Sequence, residues 1–124
     1  MIVGIGTDIT EVERIANTLR VYGERFERKV FSDDEIAYCR LTPRRSAERY
    51  AARFAAKEAL AKALGLGMAR GLWWRDIAVR KLPSGQPELL LSGEAARLCT
   101  GLRSHLSLTH TDTMAMAVVV LERE

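Results

Sequence analysis

Long apolar runs are missing from this sequence: nowhere do ~18 uncharged apolar residues stand together, so no segment reads as a membrane span. Cysteine is scarce too. Cys39 and Cys99 stand alone, with neither the CxxC spacing of a zinc or redox site nor the density of a disulfide scaffold, and both are expected to be reduced packing residues. Aromatics make up 6% of the chain and do not alternate with basic residues, which counts against a stacking surface for nucleic acid. No basic segment precedes an apolar core at the start, where an acid already stands at Asp8; residence in the cytosol is the expectation. Internal repeats and low-complexity linkers are absent as well, and 124 residues suit one domain, 1–124, with one ordinary core.

What is present is a 48% hydrophobic, 28% charged composition of globular type with a net charge of only +3. That charge is unevenly placed. Arg14, Arg20, Arg25, Arg28 and Lys29 fall early, and Arg44, Arg45, Arg49, Arg53, Lys57 and Lys62 fall in the middle. Two such stretches fit either two anionic partners or two solvated helix faces.

Ile2 to Ile9 alternates as a strand, with Gly4, Gly6 and Asp8 on one face and Val3, Ile5, Thr7 and Ile9 on the other. Glycine in a strand marks the close approach of a backbone or a ligand. Gly4-Ile5-Gly6 is no dinucleotide fingerprint, because Ile9 stands where the third glycine belongs. Thr10 with Glu13 reads as a capping box opening a helix that runs to Gly23, and Ser32 with Glu35 as a second box opening a short helix that stops near Thr42-Pro43. The longest helix is expected from Ser46 to Leu64, closed by Gly65-Leu66-Gly67. Strands follow at Trp73 to Lys81 and Glu88 to Leu91, paired as a hairpin about a turn at residues 83–87. Ser92 reads as the cap of a helix through Leu102. A strand from His105 to His110 comes next, then Met114 to Leu121, apolar on both faces and so expected at the centre of a sheet. The fold class is α+β.

On the long helix, ~100° per residue places Ala51, Phe54, Ala55, Glu58, Ala61 and Lys62 on one side. Glu58 and Lys62 alone would be a surface i,i+4 pair worth a few tenths of a kcal/mol. Yet Glu58 sits among alanines and Asp8 on a face bared by glycines, so each acid has room beside it. Two carboxylates without a Cys/His cluster suit a hard cation such as Mg²⁺, and Arg53, Lys57 and Lys62 would complement its phosphate ligand. A hydrolytic phosphodiesterase or nuclease using the same carboxylates, or a non-catalytic nucleic-acid-binding module, are the alternatives these residues leave open.

Three blocks then carry a resemblance: Gly4-Ile5-Gly6-Thr7-Asp8-Ile9 with Glu11, Arg53-Phe54-Ala55-Ala56-Lys57-Glu58-Ala59 with Lys62, and His105-Leu106-Ser107-Leu108-Thr109-His110. In order and at these separations they closely resemble the signatures of bacterial holo-acyl-carrier-protein synthases, over nearly the whole chain. The resemblance implies the phosphopantetheinyl transferase fold. It also implies transfer of 4′-phosphopantetheine from coenzyme A to a serine of apo-acyl carrier protein, releasing adenosine 3′,5′-bisphosphate and serving fatty acid biosynthesis. By the same resemblance Asp8 and Glu58 hold Mg²⁺ and act with Lys62 in catalysis. Arg53, Lys57, Lys62 and His110 then bind the coenzyme, with Arg45, Gly85 and Pro87 at its nucleotide end. Arg14, Arg25, Phe26 and Arg28 dock the carrier protein, and the assembly is a homotrimer with sites between subunits. Gly6, Ala55 and Ala61 should then reject large side chains, because the metal-bound pyrophosphate must fit between the two carboxylates.

Overall fold

The computed structural model describes residues 1–68 and 71–124. Its first element, strand β1 (Ile2–Glu11), pairs antiparallel with the last, β5 (Met114–Arg123), which pairs antiparallel with β4 (Leu102–His110) on its other side. The apolar C-terminal strand is therefore central, as its two-sided hydrophobicity requires. One face of β5, formed by Ala115, Ala117, Val119 and Leu121, is buried. Helix α4 (Ser46–Ala63) lies over that face and contributes to both hydrophobic clusters of the molecule.

How closely α4 lies is set by glycine and alanine. A Cβ placed on Gly6 would overlap the Ala59 carbonyl oxygen, and one on Gly4 would overlap that of Ala63. The space bared by the glycines is thus taken up by helix backbone. Ala55 and Ala61 are likewise in the packed core, at 0% and 1% exposure, so these small residues make room for α4 and not for a ligand, which corrects the expectation from sequence.

Between β1 and α4 run three short helices: α1 (Val12–Tyr22), α2 (Glu24–Val30) and α3 (Asp33–Arg40). The capping box expected at Thr10 does not form. Thr10 is held extended by pairing with Ala115, β1 continues to Glu11, and the Val12 amide donates to the Thr113 carbonyl at 2.9 Å. Sheet pairing overrides the local signal. Helix α2 was not foreseen, since Gly23, at φ 54° and ψ −127°, breaks the chain for a single residue and lets a new helix start at once. The Ser32–Glu35 box is present in both directions.

After α4, which closes with Gly65 and Leu66 amides on the Lys62 and Ala61 carbonyls, a 3₁₀ turn (Trp74–Asp76) replaces the start of the expected strand. Trp74 stacks on Phe54 at 4.9 Å between ring centres, a contact that pulls the chain out of extended form. The hairpin β2 (Ile77–Lys81) and β3 (Pro87–Leu91) is as read. Helix α5 (Gly93–Leu98) is shorter than expected and has no side-chain cap, because the Ser92 hydroxyl donates to Asp76 instead. Cys39 and Cys99 are free and buried, and burial pushes the Cys39 thiol up to about 12.

One wholly buried ion pair, Lys57 with Glu35, and one half-exposed pair, Arg40 with Glu27, tie the helices together. Lys57, wholly buried, donates to Glu35 at 2.8 Å, to the Trp74 carbonyl at 3.2 Å and to the Ile77 carbonyl. Glu35 in turn accepts from the Ser32 and Val79 amides. Glu27 accepts from Arg40 through both oxygens and from the Tyr50 hydroxyl, and this guanidinium holds its carboxyl below the ordinary range against the opposing effect of burial. Replacing Gly6 by alanine is expected to lower unfolding free energy by about 3 kcal/mol in urea titrations, since the clash is with backbone that has no rotamer to change. Unchanged stability in Gly6→Ala would show that α4 can lift off β1 freely.

Candidate active site

Asp8 projects from β1 on the side of the sheet that carries α4, and Lys62 on α4 donates to its Oδ1 at 3.2 Å. The Thr10 hydroxyl donates to its other oxygen, Oδ2, at 2.9 Å. Glu58, one helical turn before Lys62, is half-buried beside them. Burial raises its carboxyl above the ordinary range and the negative charge of Asp8 pushes the same way, while Lys62 and Arg14 oppose both. Sequence spacing and sheet topology together therefore bring the two predicted acids and the predicted lysine into one cluster. Two carboxylates that repel each other, with no sulfur or imidazole in the cluster, fit a hard divalent cation, whose charge would relieve that repulsion. Among the described residues no group of three or more His, Cys, Asp or Glu side chains is clustered for a metal, so such a cation would complete its shell with water and substrate oxygens.

A second feature lies along β4. Arg45, Arg49, Arg53, Lys81, Gly85, Pro87 and His110, with Tyr38, Glu48, Ala52 and Leu108, line a cavity of about 310 Å³. Five residues read from the sequence, Arg45, Arg53, Gly85, Pro87 and His110, meet here. Tyr38, Arg49 and Lys81 were missed. The Tyr38 ring carries the Arg53 and Arg49 guanidinium carbons at 4.3 and 4.4 Å and the Lys81 ammonium at 5.7 Å, a concentration of positive charge around one aromatic face. Arg53 is 6% exposed and its Nε is buried without a hydrogen-bond partner, an unsatisfied donor beside the cavity. Glu48 approaches His110 Nδ1 at 3.8 Å and is the one carboxylate among the lining residues.

Arg49 was legible in principle. Arg45, Arg49, Arg53 and Lys57 recur every four residues, a stripe that drifts ~40° around the helix at each step. That drift turns Lys57 into the core, where Glu35 captures it, so the expectation that Lys57 binds the coenzyme is corrected: its ammonium is 0% exposed and fully used. Burial holds this lysine below the ordinary range, with Glu35 opposing.

The acids and the cavity lie on opposite sides of α4. Asp8 faces Ala117 on β5, which faces Leu108 on β4, so two strand spacings, ~10 Å, separate the acidic edge from the cavity edge with the helix above the alanine between them. Arg14 on α1 reaches toward the acids, its guanidinium 5.9 Å from the Phe54 ring centre. Phe26 packs on Phe31 and Phe54, while Arg25 and Arg28 are exposed on α2, Arg28 with Glu24 at 3.5 Å.

This arrangement matches known proteins across its whole length. A model of the 4′-phosphopantetheinyl transferase superfamily matches residues 4–119. The holo-[acyl-carrier-protein] synthase of Methylobacterium radiotolerans is 51% identical over 129 residues, covering 98% of this chain and 94% of that one. The chain belongs to the 4′-phosphopantetheinyl transferase superfamily, in its holo-acyl-carrier-protein synthase branch.

Solved structures of this family superpose closely. The crystal structure of a holo-(acyl-carrier-protein) synthase from Bacillus anthracis in complex with CoA (3′,5′-ADP) is 38% identical with a TM-score of 0.85, covering 100% of this chain and 99% of that one. The Helicobacter pylori holo-[acyl-carrier-protein] synthase in complex with coenzyme A is 31% identical with a TM-score of 0.83, covering 95% and 99%. Family membership sets aside the hydrolase and nucleic-acid-module alternatives.

The raised carboxyl of Glu58 has a consequence for stability. A carboxyl that is harder to ionise in the fold than in the unfolded chain imposes a penalty that is absent below about pH 4, grows as pH rises through its unfolded and folded pKa values, and is constant above. In chelator at neutral pH, Glu58→Gln should raise Tm by about 1–3 °C, with the gain vanishing near pH 4. A Glu58→Gln chain less stable than the parent at neutral pH would contradict the strained-acid reading.

Proposed function

We propose that this chain transfers the 4′-phosphopantetheine group of coenzyme A to a serine of apo-acyl carrier protein, in support of fatty acid biosynthesis. The serine hydroxyl loses its proton to solvent as its oxygen forms a bond to the phosphorus that bears the pantetheine arm. The bridging P–O bond breaks, and adenosine 3′,5′-bisphosphate leaves with its electron pair. The observation that carries the reading is the juxtaposition of Asp8, Glu58 and Lys62 in a chain that also offers a separate cation-lined cavity.

Asp8 and Glu58 would hold Mg²⁺, which when bound supplies charge neutralisation for the pyrophosphate oxygens. Lys62, on the same helix face as Glu58 and largely exposed, places an ammonium where negative charge grows on the departing phosphate. Arg45, Arg49, Arg53, Lys81 and His110 receive the nucleotide end of the coenzyme, and Gly85 and Pro87 shape the wall of that cavity. Arg14, with Arg25, Arg28 and Phe26, forms the edge offered to an acidic carrier protein.

A homotrimer with sites between subunits supports this chemistry better than one chain. Because α4 stands between the acids and the cavity, a second copy is needed to set the cavity of one chain beside the acids of another. On the face of the sheet turned away from α4, β1 and β5 offer an uncovered apolar patch, with Ile5 64% and Ile9 60% exposed and Val3, Met116, Val118 and Val120 beside them, bordered by the polar Arg103, His105, Ser107 and Thr109 of β4. Such a face suits burial between copies in the cytosol.

Incubation with coenzyme A, Mg²⁺ and apo-acyl carrier protein should add one phosphopantetheine to the carrier by mass spectrometry, and an unmodified carrier would overturn the assignment. Arg14→Glu should raise KM for the carrier about tenfold and leave KM for coenzyme A nearly unchanged; equal effects would remove Arg14 from docking. Ile5→Asp should give monomers by light scattering and lose at least ~90% of turnover. Full activity as a monomer would refute the shared site.

A further inference from the structure

Thr10 caps no helix, which leaves its hydroxyl to be accounted for. The residue is 2% exposed, so bulk water does not serve that hydroxyl, and a buried hydroxyl without a partner is costly. Its partner is Asp8 Oδ2, at 2.9 Å. Across the strand, Thr10 faces Ala115 and Asp8 faces Ala117, neither of which offers a polar side chain.

A carboxylate turns about its terminal bond in a broad well, so an aspartate on a strand does not by itself present a fixed oxygen. Thr10 removes that freedom at one oxygen. Lys62 meets the other, Oδ1, at 3.2 Å, on the side where α4 carries Glu58. The pair lies two residues apart on one strand face, the spacing at which neighbouring side chains lean together. Serine or threonine is required at position 10 for this bond, and threonine's branched Cβ also suits the extended backbone.

We infer that Thr10 is a positioning residue, whose hydroxyl fixes the Asp8 carboxylate so that its remaining lone pairs and those of Glu58 converge on one divalent cation. The inference rests on the metal reading given under Proposed function. Partners of this kind, one bond beyond a ligand, change metal affinity by roughly 10- to 100-fold when removed.

The test is titration of the full chain with Mn²⁺, following free metal by electron paramagnetic resonance, with Tm in chelator as the control for folding. Thr10→Val keeps the shape and removes the donor. It should weaken Mn²⁺ binding at least ~10-fold while still unfolding in one sharp transition, and Thr10→Ser should restore most of the affinity. A Thr10→Val chain that binds Mn²⁺ like the parent overturns the inference. Should Thr10→Val fail to fold, Thr10→Ala, which also lacks the donor, must show the same loss. Glu58→Gln separates the two levels: if it loses Mn²⁺ while Thr10→Val keeps it, the metal site stands and the role of Thr10 falls. If the parent binds no Mn²⁺, or Glu58→Gln binds it equally, the metal reading falls and takes the inference with it.

Discussion

The contact on which the rest depends is that of one backbone on another, α4 resting against β1 at Gly4 and Gly6. Ordinary helix-to-sheet packing interposes side chains. Here glycines on the strand and alanines on the helix remove them, so residues at the edge of that contact come within hydrogen-bonding reach. Asp8, two residues after Gly6, meets Lys62 of α4 for this reason. The same closeness buries both acids enough to make their mutual repulsion matter.

A second constraint decides which cations face outward. The basic stripe on α4 drifts as it climbs, and its last member enters the core to meet Glu35. Removing either partner of a wholly buried pair leaves an uncompensated charge, typically at a cost of about 3–5 kcal/mol. The pair thus fixes the rotation of α4 about its axis, because any other rotation would leave Lys57 or Glu35 buried alone. With that rotation set, Arg49 and Arg53 are held against Tyr38 on the cavity side and Glu58 and Lys62 on the β1 side. One helix therefore serves two charge environments of opposite sign without mixing them.

Two groups are held in the fold at a cost, Glu58 and Arg53. The first is a carboxylate kept difficult to ionise by its surroundings, the second a buried guanidinium with a donor left unpaired. Each costs the folded chain some stability. Sites of this sort stand out because no other buried side-chain polar atom among the described residues lacks a partner, as the multiply bonded Glu27 and Glu35 carboxylates illustrate.

Much of this was legible in the residues themselves. Alternation identified β1, apolar residues on both faces the central position of β5, the Ser32–Glu35 box located α3, and helical spacing placed Glu58 and Lys62 on one side of α4. These signals are local and depend only on backbone period or on neighbours a turn apart. What spacing could not reveal was what filled the space beside each acid, since an emptied face looks the same whether a ligand or a helix backbone is to occupy it. Nor could it tell that Thr10 would stay in the sheet and serve Asp8, because a strand partner more than a hundred residues away decides that choice. Lys57 and Tyr38 follow the same logic, their roles set by which side chains the fold lays opposite them. The sequence by itself determined the periodic elements, β1, α3, α4, the hairpin and β5, and which acids and cations are available. Only tertiary structure decided which charges are neutralised in the core and which remain unpaired for chemistry, because burial and pairing are properties of contacts between distant residues.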